Sequence, residues 1–198
     1  MLTQWNTRAQ NRKFVASYSG GKDSSLALYQ AMQMGEPVAL IVMLEEQGLK
    51  SRSHGMSLEI IHAQAKAIEL PIYSASATWQ DYENQFIQLL QKAQALGAET
   101  LVTGDIDLMA HAEWNQSVCD KSELSLCMPL WQRPRLDIVH EFIQLGFQSI
   151  IVTVNLNLGM TVEDLGQVLS LEYVDQLVAR GIDPCGEAGE FHTTVIDG

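Results

Sequence analysis

The chain has 198 residues, 46% of them apolar and 7% aromatic, enough to bury the core of one large α/β domain or two small ones. Twenty-four acidic residues stand against 12 basic ones, and the net charge of −12 repels nucleic acid and argues against a general RNA-binding surface. No apolar run reaches the roughly 18 residues that span a bilayer, and Met1 to Lys13 is polar without a signal core, so a cytoplasmic protein with no membrane partner is expected.

Phe14 to Tyr18 reads as a first strand and Ser24 to Met34 as a first helix, with Leu28, Ala31 and Met32 on one face and Gly35 as its stop. Between them lies Ser19-Gly20-Gly21-Lys22-Asp23-Ser24. A strand, a glycine turn and a helix in this order aim backbone N–H groups at one point, where the helix dipole also favours an anion. Gly20 and Gly21 let the backbone approach that anion, Lys22 adds a point charge, and Ser24 and Ser25 add hydroxyl donors. The bland alternative is a capped glycine turn. The common P-loop is excluded, because Ala16 stands where its first glycine belongs and Asp23 follows the lysine. The dinucleotide fingerprint fails for want of a third glycine.

Val38 to Met43 is a continuous apolar strand, and Ser51-Arg52-Ser53-His54-Gly55 follows it. Arg52 could fork a phosphate or carboxylate and His54 could donate to one; a solvated basic loop explains them equally well. A second helix is predicted from Met56 to Glu69, with Leu58, Ile61, Ala65 and Ile68 inward, then a strand over Pro71 to Ser74. The third helix, Asp81 to Leu96, carries the stripe Phe86, Leu89, Leu90 and Ala93. Thr100 to Thr103 is a fourth strand ending in Gly104-Asp105. Asp105 is thereby placed to meet Mg²⁺ bound to nucleotide phosphates, on the rim where open parallel sheets hold ligands.

A helix is expected from Leu108 to Val118, placing Asp107, His111 and Trp114 on one face. His111 reads equally as a ligand and as a surface partner of Asp107. Another helix is predicted over Arg135 to Leu145, a strand over Ile150 to Val154, and two short helical segments before a glycine-rich tail. That tail holds Pro184-Cys185-Gly186-Glu187-Ala188-Gly189-Glu190-Phe191-His192, whose paired carboxylates among glycines suit proton handling or cation binding. The zinc deaminase signature is not met, since Ala188 stands where its second cysteine belongs. Cys119, Cys127 and Cys185 form no Cys-x-x-Cys pair and read as reduced, buried thiols. A soft domain boundary is placed near residue 106, dividing 1–106 from a smaller 107–198.

The Ser-Gly-Gly-x-Asp-Ser turn resembles that of the PP-loop ATP pyrophosphatases, which cleave ATP between the α and β phosphates. Together with Ser51 to Gly55, Gly104 to Trp114, Pro129-Leu130-Trp131, Leu158-Gly159 and Pro184 to Thr193, it resembles the diphthine–ammonia ligase-like (DUF71) branch over nearly the whole chain. The closing Cys-Gly-Glu-x-Gly-Glu segment is the most specific match. Phe191-His192 departs from the Tyr-Glu typical of eukaryotic members and looks like the bacterial version; bacteria lack diphthamide, so the chemistry carries over better than the acceptor.

The resemblance implies a HUP-type, Rossmann-like parallel sheet with helices on both faces and a smaller C-terminal α+β substrate domain. It also implies an ATP-dependent amide ligase that adenylates a carboxylate and transfers ammonia. Ser19, Gly20, Gly21, Lys22, Asp23, Ser24, Ser25, Gly104 and Asp105 are the expected ATP contacts, with Asp23 and Asp105 toward Mg²⁺. Lys22, Glu187 and Glu190 are the expected catalytic residues, and Arg52, His54, His111, Trp131, Cys185, Gly186 and His192 the expected acceptor side. The partners implied are ATP, ammonium and a carboxylate acceptor, small or protein-borne, and a homodimer is admitted. Two alternatives stay open: a sulfur-transfer enzyme of the tRNA thiolation type, and a non-catalytic nucleotide-binding module.

Overall fold

The computed structural model describes residues 5–198, which divide into two compact units. The first takes in the chain up to Ser19 and Ser24–Gln132; the second takes in Gly20–Asp23 and Arg133–Gly198. Among the described residues no helix is long and apolar enough to cross a membrane.

The first unit is built on β1 (Lys13–Ser17), β2 (Glu36–Leu44), β3 (Ile72–Ser76), β4 (Thr100–Val102) and β5 (Ser125–Cys127). They form one all-parallel sheet in the order β3-β2-β1-β4-β5. Its helices are α1 (Lys22–Met32), whose first two residues fall in the second unit, α2 (Leu58–Ala67), α3 (Tyr82–Ala95) and α4 (Met109–Lys121). Strand periodicity assigns the two faces. Ala39, Ile41 and Met43 of β2 join Val15, Phe86, Leu90 and Val118 on the side of α3 and α4. Val42 and Leu44 pack instead with Met56 and with Ile61 of α2. A strand buried on both faces reads as a continuous apolar run, as this one does.

The second unit holds α5 (Arg135–Gln144), β6 (Gln148–Val154), α6 (Leu171–Ala179) and β7 (Phe191–Asp197). β6 and β7 pair antiparallel over a core of Val139, Ile151, Leu169, Val174, Leu177, Ile182 and Phe191. The chain thus has a Rossmann-like α/β sheet with helices on both faces and a small C-terminal α+β unit.

Several expectations are corrected. The compact units part at Gln132/Arg133 instead of residue 106, because α4 and β5 complete the parallel sheet. β5 is three residues long and pairs with β4, too short to show a period. The end of the glycine-rich tail is the strand β7, anchored by pairing with β6. Met32 lies outside the buried stripe of α1, 41% exposed, while Leu28 and Ala31 are buried.

Candidate functional site

Ser19 Oγ donates to Ser24 Oγ at 3.0 Å and Ser25 Oγ to the Tyr18 hydroxyl at 3.3 Å, both within the first unit. Burial raises the Tyr18 pKa, against the lowering effect of the Ser25 contact. Gly20 has φ +78°, a conformation open to glycine at little cost.

Within the second unit the Gly20–Asp23 turn is tied to β7. The Val195 N–H donates to the Gly20 carbonyl at 3.0 Å, and the Lys22 N–H donates to Thr193 Oγ1 at 3.2 Å. The Lys22 side chain is only 4% exposed, with its ammonium donating to Asp23 Oδ2 at 2.7 Å and to the Cys185 carbonyl. Its centre lies 5.7 Å from the Phe191 ring centroid. Burial pulls the Lys22 pKa down, but the charges of Asp23 and Glu187 and the hydrogen bond to Asp23 outweigh it, and the net shift is upward. Lys22 is therefore a desolvated ammonium whose charged form its acidic neighbours favour. Asp23 Oδ1, by contrast, is buried without a hydrogen-bond partner.

The acidic loop beside Lys22 is organised by Asp183. Its Oδ1 accepts from the Cys185 N–H and its Oδ2 from the Glu187 N–H, both at 3.0 Å, and Oδ2 also pairs with Arg135. Gly186 has φ +70°, and a Cβ there would sit 2.7 Å from the Phe191 carbonyl oxygen, so only glycine fits. Glu190 is 8% exposed; its Oε2 accepts from the Ala188 N–H at 3.1 Å and its carbonyl from the Asn155 N–H at 2.7 Å. Glu187 is half-buried, and so is His192, whose pKa is lowered by burial and then by the Lys22 charge.

Cys185 is placed differently from the expected acceptor contact. Its thiol is buried and donates to the Arg135 carbonyl at 3.1 Å, and burial pushes its pKa up to about 12. What it offers its surroundings is the carbonyl that Lys22 holds. Trp131 is likewise corrected: it is 2% exposed in the core of the first unit, edge-on to Trp5 with ring centroids 5.5 Å apart. Bulky apolar surface at that position is spent on packing and is closed to a substrate.

On the rim of the first unit, Asp105 Oδ1 meets His111 Nδ1 at 3.0 Å and Oδ2 accepts from Asn115 Nδ2 at 2.8 Å. Burial would raise the Asp105 pKa, but the hydrogen bond with His111 leads the effects that lower it. His111 carried two readings, a ligand and a surface partner of Asp107; α4 begins at Met109, Asp107 precedes the helix, and His111 meets Asp105. Gly104 leads into this turn and is half-buried. After β2, the Arg52 N–H donates to the Met43 carbonyl at 3.0 Å, its Nη2 bonds the Ala77 carbonyl, and its guanidinium lies 4.6 Å from the Trp79 ring centroid. His54 is half-buried in the same turn.

Among the described residues no group of three or more His, Cys, Asp or Glu side chains could cage a metal ion. A Mg²⁺ held chiefly by phosphates needs one or two carboxylates, and the free, buried oxygen of Asp23 fits that role. Both Asp105 oxygens are already engaged, so it fits less well. Sequence reasoning missed Asp183, Arg135, Thr193 and Asn115. Asp183 before a proline carried a turn signal and Asn115 lies four residues after His111; nothing local marked Thr193 or Arg135.

Two family models match in succession: "Diphthamide synthase N-terminal domain" over residues 12–126 and "Diphthamide synthase C-terminal domain" over 134–198. The diphthine–ammonia ligase of Schizosaccharomyces pombe is 25% identical over 93% of the chain, which spans only 34% of that protein's length. The Homo sapiens diphthine–ammonia ligase is 25% identical, with 93% of this chain and 79% of that protein covered. Among solved structures, a 4-thiouridine synthetase–RNA complex with bound ATP aligns with a TM-score of 0.51 and 17% identity. That alignment covers 68% of this chain and 41% of the other, and it concerns the fold.

Proposed function

The chain belongs to the diphthamide synthase family, and on that premise we propose that it is an ATP-dependent amide ligase that joins ammonia to a carboxylate acceptor. A carboxylate repels nucleophiles. Its oxygen attacks the α-phosphorus of ATP, the bond to the β-phosphate oxygen breaks, and pyrophosphate leaves, giving an acyl adenylate. Ammonia adds to the activated carbonyl and AMP departs with the bonding pair, leaving the amide. Each ammonium ion must lose one proton before attack and the adduct a second afterward.

In this reading the Gly20 and Gly21 backbone, Ser19, Ser24, Ser25 and Lys22 receive the phosphates, stabilising charge as pyrophosphate leaves. Glu187 and Glu190 hold ammonium and take its proton. Gly186 gives that loop its backbone path, and His192 and Cys185 border it. Arg52, His54 and His111 are assigned to the anionic acceptor or α-phosphate. Mg²⁺ bound with ATP would neutralise phosphate charge, and Asp23 and Asp105 are the residues proposed to meet it.

The observation that supports this most is the desolvated, charged Lys22, which joins the glycine turn to the Cys-Gly-Glu-x-Gly-Glu loop inside one unit. A cation bonded to Asp23 of the glycine turn and to the Cys185 carbonyl of the acidic loop, and feeling the Glu187 charge, suits a reaction that expels pyrophosphate and consumes ammonium. The ATP bound to the structurally similar 4-thiouridine synthetase is consistent with nucleotide binding on this fold.

That likeness also raises sulfur transfer as the second reading. A persulfide carrier needs an accessible thiolate. All three cysteines are buried, burial raises each thiol pKa, and those of Cys119 and Cys185 reach about 12. The amide ligase is preferred on this ground. Unpaired, buried thiols also accord with the proposed cytoplasmic compartment.

The test is incubation with ATP, Mg²⁺, ¹⁵N-ammonium and a panel of carboxylates, following pyrophosphate, AMP and ¹⁵N in the product. Stoichiometric AMP, pyrophosphate and ¹⁵N-amide would support the proposal. ATP binding with no pyrophosphate from any carboxylate would leave a nucleotide-binding module.

A further inference from the structure

Trp79 is the most exposed large apolar side chain among the described residues, at 75%. It lies in the turn after β3, while Arg52 lies in the turn after the neighbouring β2, both beyond strand carboxyl ends in the first unit. Ligands of open parallel sheets collect there. A lone exposed aromatic needs no explanation, but this one is held in place. The Arg52 guanidinium covers one face at 4.6 Å, and the Tyr82 ring leans on it with centroids 5.8 Å apart at 32°. Tyr82 in turn stacks on the buried Phe86, with centroids 6.2 Å apart. With one face covered, the remaining exposure belongs to the opposite face and the ring edge.

Arg52 is fixed as firmly. Its backbone N–H is bonded to Met43 and its Nη2 to the Ala77 carbonyl, which ties the β2 turn to the end of β3. Its Nε is buried with no hydrogen-bond partner. A donor stripped of water and left unbonded is costly, and a carboxylate oxygen is the group that would complete it. Tyr82 also packs against Trp114, with ring centroids 5.6 Å apart, so the aromatic platform continues to the helix that carries His111.

We infer that Trp79 and Arg52 form an acceptor subsite for a flat conjugated ring carrying a carboxylate on a short arm. The ring stacks on the open indole face, and the carboxylate rounds the indole edge to the Arg52 guanidinium. The inference rests on the amide ligase reading and names its substrate class. An aliphatic acid cannot use the indole face, and an uncharged ring cannot use the guanidinium.

The probe is indole-3-propionate, with 3-cyclohexylpropionate and indole-3-propionamide as controls, titrated into ¹⁵N-labelled full-length protein. The Trp79 indole N–H signal is assigned by its loss in Trp79→Leu. Indole-3-propionate should shift that signal saturably and bind about tenfold more tightly than either control, the scale of one aromatic stack or one charged hydrogen bond. Trp79→Leu should abolish this preference, Trp79→Phe should retain most of it, and Arg52→Gln should remove only the preference over the amide. An unmoved Trp79 signal, or equal binding of the three probes, overturns the inference. Displacement of indole-3-propionate by ATP overturns it as well, since the ring recognised would then be adenine. Pyrophosphate release is not read in this experiment, so failure of the ligase reading remains a separate result.

Discussion

The ammonium of Lys22 donates to the main-chain carbonyl of Cys185, 163 positions later in the chain. A hydrogen bond to a carbonyl, unlike one to a side chain, survives substitution of the acceptor residue. It makes the conformation of the acidic loop, and no particular side chain at 185, the partner of the glycine-turn lysine. By linkage, whatever orders one partner favours order in the other.

Lys22→Met removes the donor while keeping most of the volume. The Cys185 carbonyl and the Asp23 carboxylate then lose a buried partner, at a cost of about 2–3 kcal/mol, since Asp23 is partly exposed and a fully buried pair costs more. Urea denaturation should show that loss, and calorimetry with Mg·ATP should show affinity lowered by more than about tenfold. Undiminished ATP affinity would remove Lys22 from the phosphate site.

Gly186→Ala combines a left-handed backbone with a Cβ 2.7 Å from the Phe191 carbonyl oxygen. The expected destabilisation is about 2–4 kcal/mol, summing backbone strain and displacement of β7. Hydrogen exchange at the Ala188 amide, which Glu190 holds, should accelerate by more than the global change alone explains.

Glu187→Gln and Glu190→Gln keep shape and remove charge. Each should abolish or sharply reduce amide formation from ammonium, by about 100-fold or more if the residue is the base, while ATP affinity changes little. Glu190→Gln keeps an oxygen to accept the Ala188 N–H, so a stability loss there should be small. Full turnover in both variants would take the pair out of the mechanism.

The second unit carries a pH-sensitive staple. Arg180 bonds both oxygens of Asp164 at 2.7 and 2.8 Å and the Gly159 carbonyl at 2.8 Å, and the Tyr173 hydroxyl also donates to Asp164. The hydrogen bond from Arg180 drives the Asp164 pKa well below the carboxylate range. A depressed carboxylate contributes stability that is present above its unfolded pKa of about 4 and is lost as pH falls toward its folded value. Tyr173 is raised to about 12, first by burial and then by Asp164, so its contribution is full below about 10 and fades toward 12. Urea melts across pH should show an acid-side decline that flattens in Asp164→Asn. Arg180→Ala should cost about 2–3 kcal/mol at neutral pH, less than a fully buried pair because Arg180 is a third exposed.

Local chemistry made much of the fold readable. β2 is buried on both faces and its run Val38 to Met43 is unbroken; α3 carries the stripe Phe86, Leu89, Leu90, Ala93 that the structure buries. The glycine turn lies between a strand and a helix as its spacing required. β5 escaped because three residues carry no period, and with it went the position of the domain division. Trp131 misled because an aromatic near a motif looks the same whether it faces a substrate or a core.

The sequence alone determined which groups this protein has to work with: a Gly-Gly-Lys-Asp turn ahead of a helix, a pair of carboxylates among glycines, and a parallel α/β frame. Tertiary structure alone decided their partners. It set Lys22 on the Cys185 carbonyl, gave the Lys22 amide to Thr193, matched His111 with Asp105, and made Asp183 the organiser of the acidic loop. The reason is range. Helices, strands and turns arise from neighbours a few residues apart, whereas a desolvated charge must find its counterpart wherever the packed chain brings one, and that depends on every contact between.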